Sequence, residues 1–188
     1  MHYVSNNEKL QDGDLVLVDA GGEYQKYASD ITRTYPVNGK FSKEQLALYN
    51  IVLEAQETGI AAAQPGNTYW DVHMDVLREL VSGLVDNGLL EGEVDDLIHD
   101  KAYKRFYPHS FGHYVGLDVH DPNPKFSPEG WIPFERGMVF TIEPGLYVQP
   151  DDETVDPKWR GIAIRIEDVI EITWAGCKVI GSSTQRPQ

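Results

Sequence analysis

The chain of 188 residues has one cysteine, no long apolar run and few basic side chains for its acidic content. The single cysteine, Cys177, excludes an internal disulfide and suits a reducing compartment. The apolar runs are too short to span a bilayer, and the first residues do not resemble a signal or transit peptide. The sequence therefore predicts a protein without membrane contact.

Basic side chains are outnumbered in this sequence. The chain has 30 Asp and Glu against 16 Lys and Arg, and its formal net charge is −14. Because phosphate binding needs clustered Lys and Arg, this imbalance argues against a nucleic-acid partner. The composition is otherwise ordinary for one globular domain with its own core, with 41% hydrophobic and 24% charged residues.

The first forty residues predict a β-hairpin. Residues 13–19 (GDLVLVD) form an apolar run too short for a helix, which indicates a buried strand. The run ASDITRTYPV indicates a second strand. The two are expected to pair antiparallel about a tip at Glu23–Tyr24.

Two helices are predicted after the hairpin. Ser42 and Gln45 fit a capping box, and helical sequence then continues to about Ala63. A break at residues 64–67 (QPGN) precedes a second helix from residue 68 or 69 to 84 or 85. That second segment has apolar residues at helical spacing: Val72, Val76, Leu80 and Leu84. No element is predicted for residues 86–106.

From Pro108 onward the pattern indicates mostly strand, so the whole chain reads as a mixed α/β domain. The run GMVFTIEP ends in a proline that stops a strand ladder. Residues 161–173 (GIAIRIEDVIEIT) alternate, which places three isoleucines on one face and Ala163, Arg165 and Glu167 on the other. Residues 122–137 and 149–161 are predicted loops.

Four acidic side chains occupy unusual positions. Asp19 closes a strand predicted to be buried, where a carboxylate must be paired, hydrogen-bonded or bound to metal. Asp30 follows with the spacing D-x10-D, and Thr32 shares its strand face. Glu143 and Glu167 lie within apolar strand patterns, where glutamate is unusual. The alternatives are that both aspartates serve the turn and that Glu167 pairs with Arg165 on an exposed face.

Three of the six histidines lie in one short segment, YPHSFGHYVGLDVHD. They are His109, His113 and His120, and glycines at 112 and 116 between them allow close approach of the backbone to a site. A lone histidine is more often structural than a ligand, but this clustering favours a functional site. The spacing is not the HExxH pattern of zinc hydrolases.

The charges of these side chains favour two metal ions. Four carboxylates would repel one another and take up protons, whereas two divalent cations would neutralise them. Oxygen ligands with one imidazole suit Mn²⁺, Co²⁺, Fe²⁺ or Zn²⁺. Two adjacent ions would activate a shared water and polarise a substrate carbonyl.

Four runs resemble the catalytic domain of aminopeptidase P, in the pita-bread metallopeptidase family: VDAGGEYQKYASDITRTYPVNGKF, HSFGHYVGLDVHD, TIEPGLYV and RGIAIRIEDV. The resemblance implies a pita-bread fold, a curved and mostly antiparallel sheet flanked by helices. It also implies a hydrolase that releases the residue before a proline. The implied cofactor is a pair of divalent ions, usually manganese.

The resemblance implies a role for each site residue. The implied metal ligands are Asp19, Asp30, His113, Glu143 and Glu167, with Asp30 and Glu167 bridging both ions. Glu143 would also relay a proton, and His120 would contact the substrate carbonyl or stabilise the tetrahedral intermediate. His109 would line the site and Arg165 would orient its neighbours. His2 matches a family histidine that acts in proton transfer or substrate binding.

The resemblance also implies that residues 1–188 are a partial catalytic domain, since family members carry an N-terminal auxiliary domain and further catalytic-domain elements before the His2 segment. A homo-oligomer is expected for the longer protein, and weakened stability or activity for this chain alone. The cytoplasm is the expected compartment, with the mitochondrion as the alternative. The alternative functions are a dipeptidase restricted to Xaa-Pro and a non-catalytic binding module.

Overall fold

Two long helices pack against short antiparallel strands in the computed structural model, which describes residues 3–181. The helices are α1 (Lys43–Ala62), α2 (Tyr69–Asp86) and the short α3 (Val94–His99). Single 3₁₀ turns lie at Ala102–Arg105 and Pro157–Trp159. The strands are β1 (Leu15–Ala20), β2 (Glu23–Tyr24), β3 (Tyr27–Ala28), β4 (Ile31–Pro36), β5 (Phe126–Ser127), β6 (Gly130–Trp131), β7 (Val139–Ile142), β8 (Gly145–Tyr147), β9 (Ala163–Arg165), β10 (Asp168–Thr173) and β11 (Gly176–Ile180).

The predicted hairpin is confirmed, with two corrections. Strands β1 and β4 pair antiparallel, and Asp19 lies opposite Thr32. The chain reverses at Gln25 and Lys26, whose φ angles are 50° and 74°, and not at Glu23–Tyr24, because β2 and β3 extend the ladder. Strand β1 is not buried: Val18 is 47% exposed, since within residues 3–181 this strand pairs on one side only.

Both predicted helices are confirmed, because their signals are local. Ser42 and Gln45 form the predicted capping box of α1, and Thr68 forms an equivalent box with Asp71 at α2. The apolar stripe of α2 is fully buried against α1 and the strands: Val72, Val76, Leu80 and Leu84. This helix pair supplies much of the core on which the strands lie.

The predicted single strand at residues 161–173 is wrong in detail. Two separate strands form instead: β9 pairs with β8, and β10 pairs with β7. Between them, Glu167 forms an isolated bridge with Thr32 of β4. Both faces are buried: Arg165 is 4% and Glu167 1% exposed. An exposed Arg165–Glu167 ion pair is therefore excluded.

Other segments also differ from the sequence predictions. Residues 86–106, left without an element, contain α3 and a 3₁₀ turn. Residues 108–125 contain no strand, although the pattern indicated mostly strand from Pro108, and the predicted loop at 122–137 contains the β5–β6 hairpin. No helix of residues 3–181 combines the length and apolar character needed to cross a membrane.

Candidate metal centre

One cavity of about 320 Å³ collects eight of the nine residues predicted for the site. Its lining consists of Asp19, Asp30, His109, Ser110, Gly112, His113, His120, Lys125, Glu143, Arg165 and Glu167. His2, the ninth, lies outside the described residues. A larger cavity of about 540 Å³ is lined by Tyr147, which contacts His109 of the smaller cavity. The lining of the larger cavity contains no acidic or histidine side chain. The chemistry therefore points to the smaller cavity.

His113 presents one ring nitrogen to the acidic cluster. Its Nε2 lies 3.5 Å from Asp30 Oδ2 and 3.4 Å from Glu143 Oε1. Its Nδ1 lies 3.1 Å from the Tyr114 carbonyl oxygen, which can only accept a hydrogen bond. In the neutral ring the proton therefore belongs on Nδ1, which leaves Nε2 on the side of the carboxylates to bind metal, or to take up a second proton and donate to Asp30 when no metal is bound.

Glu167 is the most deeply buried acid of the site. Its Oε2 accepts a 2.6 Å hydrogen bond from the Thr32 hydroxyl, and its Oε1 is buried with no hydrogen-bond partner among residues 3–181. Burial, reinforced by the charges of Glu143 and Asp30, raises its pKa to about 8. A bound metal ion would supply the positive charge that this buried carboxylate needs to be ionised.

Three side chains of the cluster are close enough together to be candidate ligands of one ion. Ligand atoms of Asp30, His113 and Glu167 all lie within 4.8 Å of one another. Glu143 joins this group through its contact with His113, and burial raises its pKa. The donor set of carboxylate oxygens and one imidazole nitrogen thus fits a hard or borderline divalent cation.

Asp19 lies at the open side of the cluster and is held by Arg165. Its Oδ2 accepts a 2.5 Å hydrogen bond from Arg165 Nη2. The side chain of Asp19 is 35% exposed, whereas that of Arg165 is 5% exposed. The buried guanidinium therefore fixes the orientation of a carboxylate that water can still reach.

A hydrogen-bonded chain behind the cluster includes a residue that the sequence reasoning missed, Tyr147. Arg165 Nη1 donates to the Tyr147 hydroxyl (2.9 Å), which lies 2.8 Å from His109 Nε2. His109 Nδ1 lies 2.7 Å from the Ser110 carbonyl oxygen. Burial lowers the pKa of His109 to about 4, so this imidazole is neutral and accepts from Tyr147. Tyr147 stands in the run TIEPGLYV, but no periodicity marks it as polar or functional.

Gly112 and Thr141 shape the backbone at the ligands. A Cβ on Gly112 would lie 1.9 Å from the Thr141 carbonyl oxygen, so only glycine allows the His113 segment to approach β7 so closely. The His113 backbone N–H donates to the Thr141 hydroxyl (3.0 Å), and the same hydroxyl lies 3.4 Å from Glu143 Oε1. His120 packs edge-on to His113, with ring centroids 4.2 Å apart.

A buried ion pair between Arg33 and Asp168 lies next to Glu167 and holds its backbone. Arg33 of β4 donates to Asp168 Oδ1 (2.7 Å) and to the Glu167 carbonyl oxygen (2.6 Å). Gln56 of α1 donates to the other oxygen of Asp168 (2.9 Å). These contacts connect the hairpin, helix α1 and strand β10 beside the cluster, and no sequence pattern predicted them.

This fold and its acidic cluster are of a kind found in a family of metallopeptidases. The model of metallopeptidase family M24 matches residues 1–174, and the chain belongs to that family.

Known proteins narrow the comparison further. The chain is 51% identical to an Xaa-Pro aminopeptidase of Escherichia coli strain K12 over 176 residues, which are 94% of this chain and 40% of that protein. An aminopeptidase structure from Pseudomonas aeruginosa superposes with a TM-score of 0.97 at 47% identity, covering 99% of this chain and 42% of the other. The structure of E. coli aminopeptidase P with the inhibitor Pro-Leu gives 0.94 at 48%, with the same coverage. These matches confirm the predicted pita-bread fold. The chain spans about 40% of the length of the curated relatives it matches.

Proposed function

We propose that this chain carries the catalytic centre of a metal-dependent aminopeptidase that hydrolyses the bond between an N-terminal residue and a following proline. Membership of the metallopeptidase family and the names of its relatives support the reaction class. One observation carries the proposal for this chain. Four carboxylates and His113 line a single cavity, and the buried Oε1 of Glu167 has no partner within residues 3–181.

The proposed ligands of two divalent ions are Asp19, Asp30, His113, Glu143 and Glu167. For Asp30 and Glu167, a role shared between the two ions is proposed from the resemblance alone; in the structure their ligand atoms lie within 4.8 Å of each other and of a ring nitrogen of His113. Their charges would balance two ions. The oxygen-rich set suits Mn²⁺, Co²⁺, Zn²⁺ or Fe²⁺, and the resemblance favours manganese among them. Bound there, the ions would supply Lewis-acid polarisation of the scissile carbonyl and a lowered pKa for an attacking water.

The remaining side chains have roles that follow from their contacts. Glu143, whose pKa is raised by burial, is suited to accept a proton from the attacking water and return it to the leaving proline nitrogen. His120 lines the cavity beside His113, and we propose that it donates to the substrate carbonyl oxygen or stabilises the tetrahedral intermediate. Arg165 and His109 hold Asp19 and Tyr147 in place. For His2 we propose substrate binding from the resemblance alone.

Metal content and turnover test this proposal together. We expect chelator-treated protein to lose hydrolysis of a peptide such as Ala-Pro-Leu and to regain it with Mn²⁺. Substitution of His113 by alanine should lower metal retention and turnover more than about 100-fold, because it removes an inner ligand. The matched control is His99→Ala, since the His99 side chain is 87% exposed on α3.

Two results would decide against the proposal. Absence of stoichiometric metal after reconstitution would favour a non-catalytic binding module. Cleavage of Ala-Pro but not of Ala-Pro-Leu would instead identify a dipeptidase.

A further inference from the structure

Lys125 places a half-buried ammonium in the wall of the candidate metal centre. It lines the cavity together with the four carboxylates, and its Nζ lies 3.8 Å from the centroid of the Tyr69 ring. Within residues 3–181 its side chain forms no hydrogen bond and no ion pair. Its ammonium contacts an aromatic ring and is influenced by the charge of Glu143 without forming an ion pair, so it has no close anionic partner within residues 3–181.

The position of Lys125 is fixed by the fold on both sides. Its carbonyl oxygen accepts a hydrogen bond from the Ile132 backbone N–H (3.1 Å), across the β5–β6 hairpin. Trp131 of β6 stacks on Trp70 of α2, with ring centroids 5.6 Å apart. Trp70 directly follows Tyr69, so the first turn of α2 holds both the hairpin and the lysine. Lys125 is therefore presented to the cavity and is not a free surface side chain.

Tyr69 connects this lysine to the ligand segment. Its hydroxyl lies 2.7 Å from the Ser110 hydroxyl and also donates to the Gly112 carbonyl oxygen. Gly112 directly precedes His113. The Lys125 ammonium therefore contacts a tyrosine ring whose hydroxyl is hydrogen-bonded to the backbone next to His113, the proposed ligand.

The other cation in the cavity wall is already engaged. Arg165 is bonded to Asp19 and Tyr147, as described above. With the carboxylates neutralised by metal, Lys125 is the cation that remains, among the lining residues within 3–181, for an anion that enters from outside. Burial lowers the pKa of Lys125, and an arriving carboxylate would favour its charged form.

We propose that Lys125 binds a carboxylate of the peptide on the leaving-group side of the scissile bond. The amino terminus of a peptide is a cation and is repelled by Lys125, so the carboxyl end must point toward it. The cavity of about 320 Å³ is at the small end for ligand sites, which suits short peptides whose terminal carboxylate remains within reach. This inference rests on the proposed function and narrows its substrate class to short peptides with a free carboxyl terminus.

The test compares free acids with amides in the Mn²⁺-loaded protein. Ala-Pro-Leu and its amide are assayed beside Ala-Pro and its amide, with wild type, Lys125→Met, Lys125→Arg and Lys178→Met. The last variant removes the same charge from an exposed lysine of β11 that does not line the cavity. Binding of Pro-Leu and Pro-Leu-amide is also measured by calorimetry, because it requires no turnover.

We expect wild type to prefer the free acid about tenfold in kcat/KM, as for one charged hydrogen bond in a half-exposed site. The preference should vanish in Lys125→Met and persist in Lys125→Arg and Lys178→Met. Preference confined to the tripeptide identifies its terminal carboxylate as the ligand, whereas preference confined to the dipeptide identifies the proline carboxylate.

Two outcomes overturn the inference: equal use of acid and amide by wild type, or a preference that survives in Lys125→Met. If no Xaa-Pro substrate is cleaved, the proposed function fails instead, and calorimetry still decides on Lys125. An acid preference in binding that depends on Lys125 supports the carboxylate site, and equal binding of both ligands refutes it.

Discussion

The metal-free protein should lose stability between pH 6.5 and 8 because of Glu167. Its pKa is about 8 in the folded chain, against an ordinary value of 4.5. Across this window the folded protein keeps a proton on Glu167 that the unfolded chain has released. Unfolding therefore releases a proton, and the free energy of unfolding falls as pH rises.

The free energy of unfolding should fall by about 2 kcal/mol from pH 6.5 to 8, since the release of one proton on unfolding changes it by about 1.4 kcal/mol per pH unit. His109 alters the window only near its acidic end, because its pKa falls from 6.5 to about 4 on folding: the folded group is neutral throughout, and the unfolded group becomes largely neutral as pH rises above 6.5. Below pH 6.5 the unfolded chain protonates this histidine and the folded chain does not. The stability from His109 is therefore lost on acidification, against the trend from Glu167.

Other groups of the site reinforce the predicted slope. Burial opposes a charged His113, yet its hydrogen bond to Asp30 raises its pKa above the ordinary value. Stability from that proton is lost as pH rises through the folded-state pKa. Burial raises the pKa of Glu143, which acts in the same direction as Glu167.

The assay is urea unfolding of chelator-treated protein at several pH values from 6.5 to 8, with and without saturating Mn²⁺. Added metal should abolish the decline, because ligands must be deprotonated to bind and the affinity therefore rises with pH. Glu167→Gln should flatten the metal-free profile, whereas Glu153→Gln, in an exposed loop, should leave it unchanged. A metal-free stability that is constant or rises over this window would refute the reasoning.

Three further substitutions test the scaffold around the site, each by urea unfolding. Arg33→Met should lower the free energy of unfolding by about 3–5 kcal/mol, because it leaves Asp168 buried without its guanidinium partner. A decrease smaller than the one caused by removing an exposed cation would contradict this account of the ion pair. Gly112→Ala should cost about 1–3 kcal/mol and reduce Mn²⁺ retention, because the new Cβ would collide with the Thr141 carbonyl oxygen; unchanged stability would show that this segment yields freely. Thr68→Ala should cost about 1 kcal/mol through loss of the α2 cap without change in metal content, and altered metal content would contradict a purely local role.

The helices were predictable because their signals are contained in the segments that form them. The capping box of Ser42 and the apolar stripe from Val72 to Leu84 depend on neighbours three or four residues away. The five proposed ligands were also found from sequence, through local motifs and resemblance. All five line one cavity, as do eight of the nine predicted site residues in total. The ninth, His2, lies outside the described residues.

Burial was the property that local patterns predicted least well. Alternation placed Glu167 and Arg165 on a face separate from the isoleucines, with exposure of that face left open as an alternative, but strand β4 covers it. Conversely, β1 is as apolar as a core strand, yet Val18 is half exposed because no further strand pairs with it within residues 3–181. Exposure depends on which elements are brought together, and a local pattern cannot contain that information.

The sequence by itself therefore determined the family and the helices and predicted the proposed metal ligands, since these depend on local motifs. Only the tertiary structure decided how those side chains are held. The Thr32–Glu167 hydrogen bond joins residues 135 positions apart, and the Arg165–Asp19 bond joins residues 146 apart. Only folding brings such distant residues together, so the support from Tyr147 and Arg33 and the unpartnered Lys125 could be found only in three dimensions.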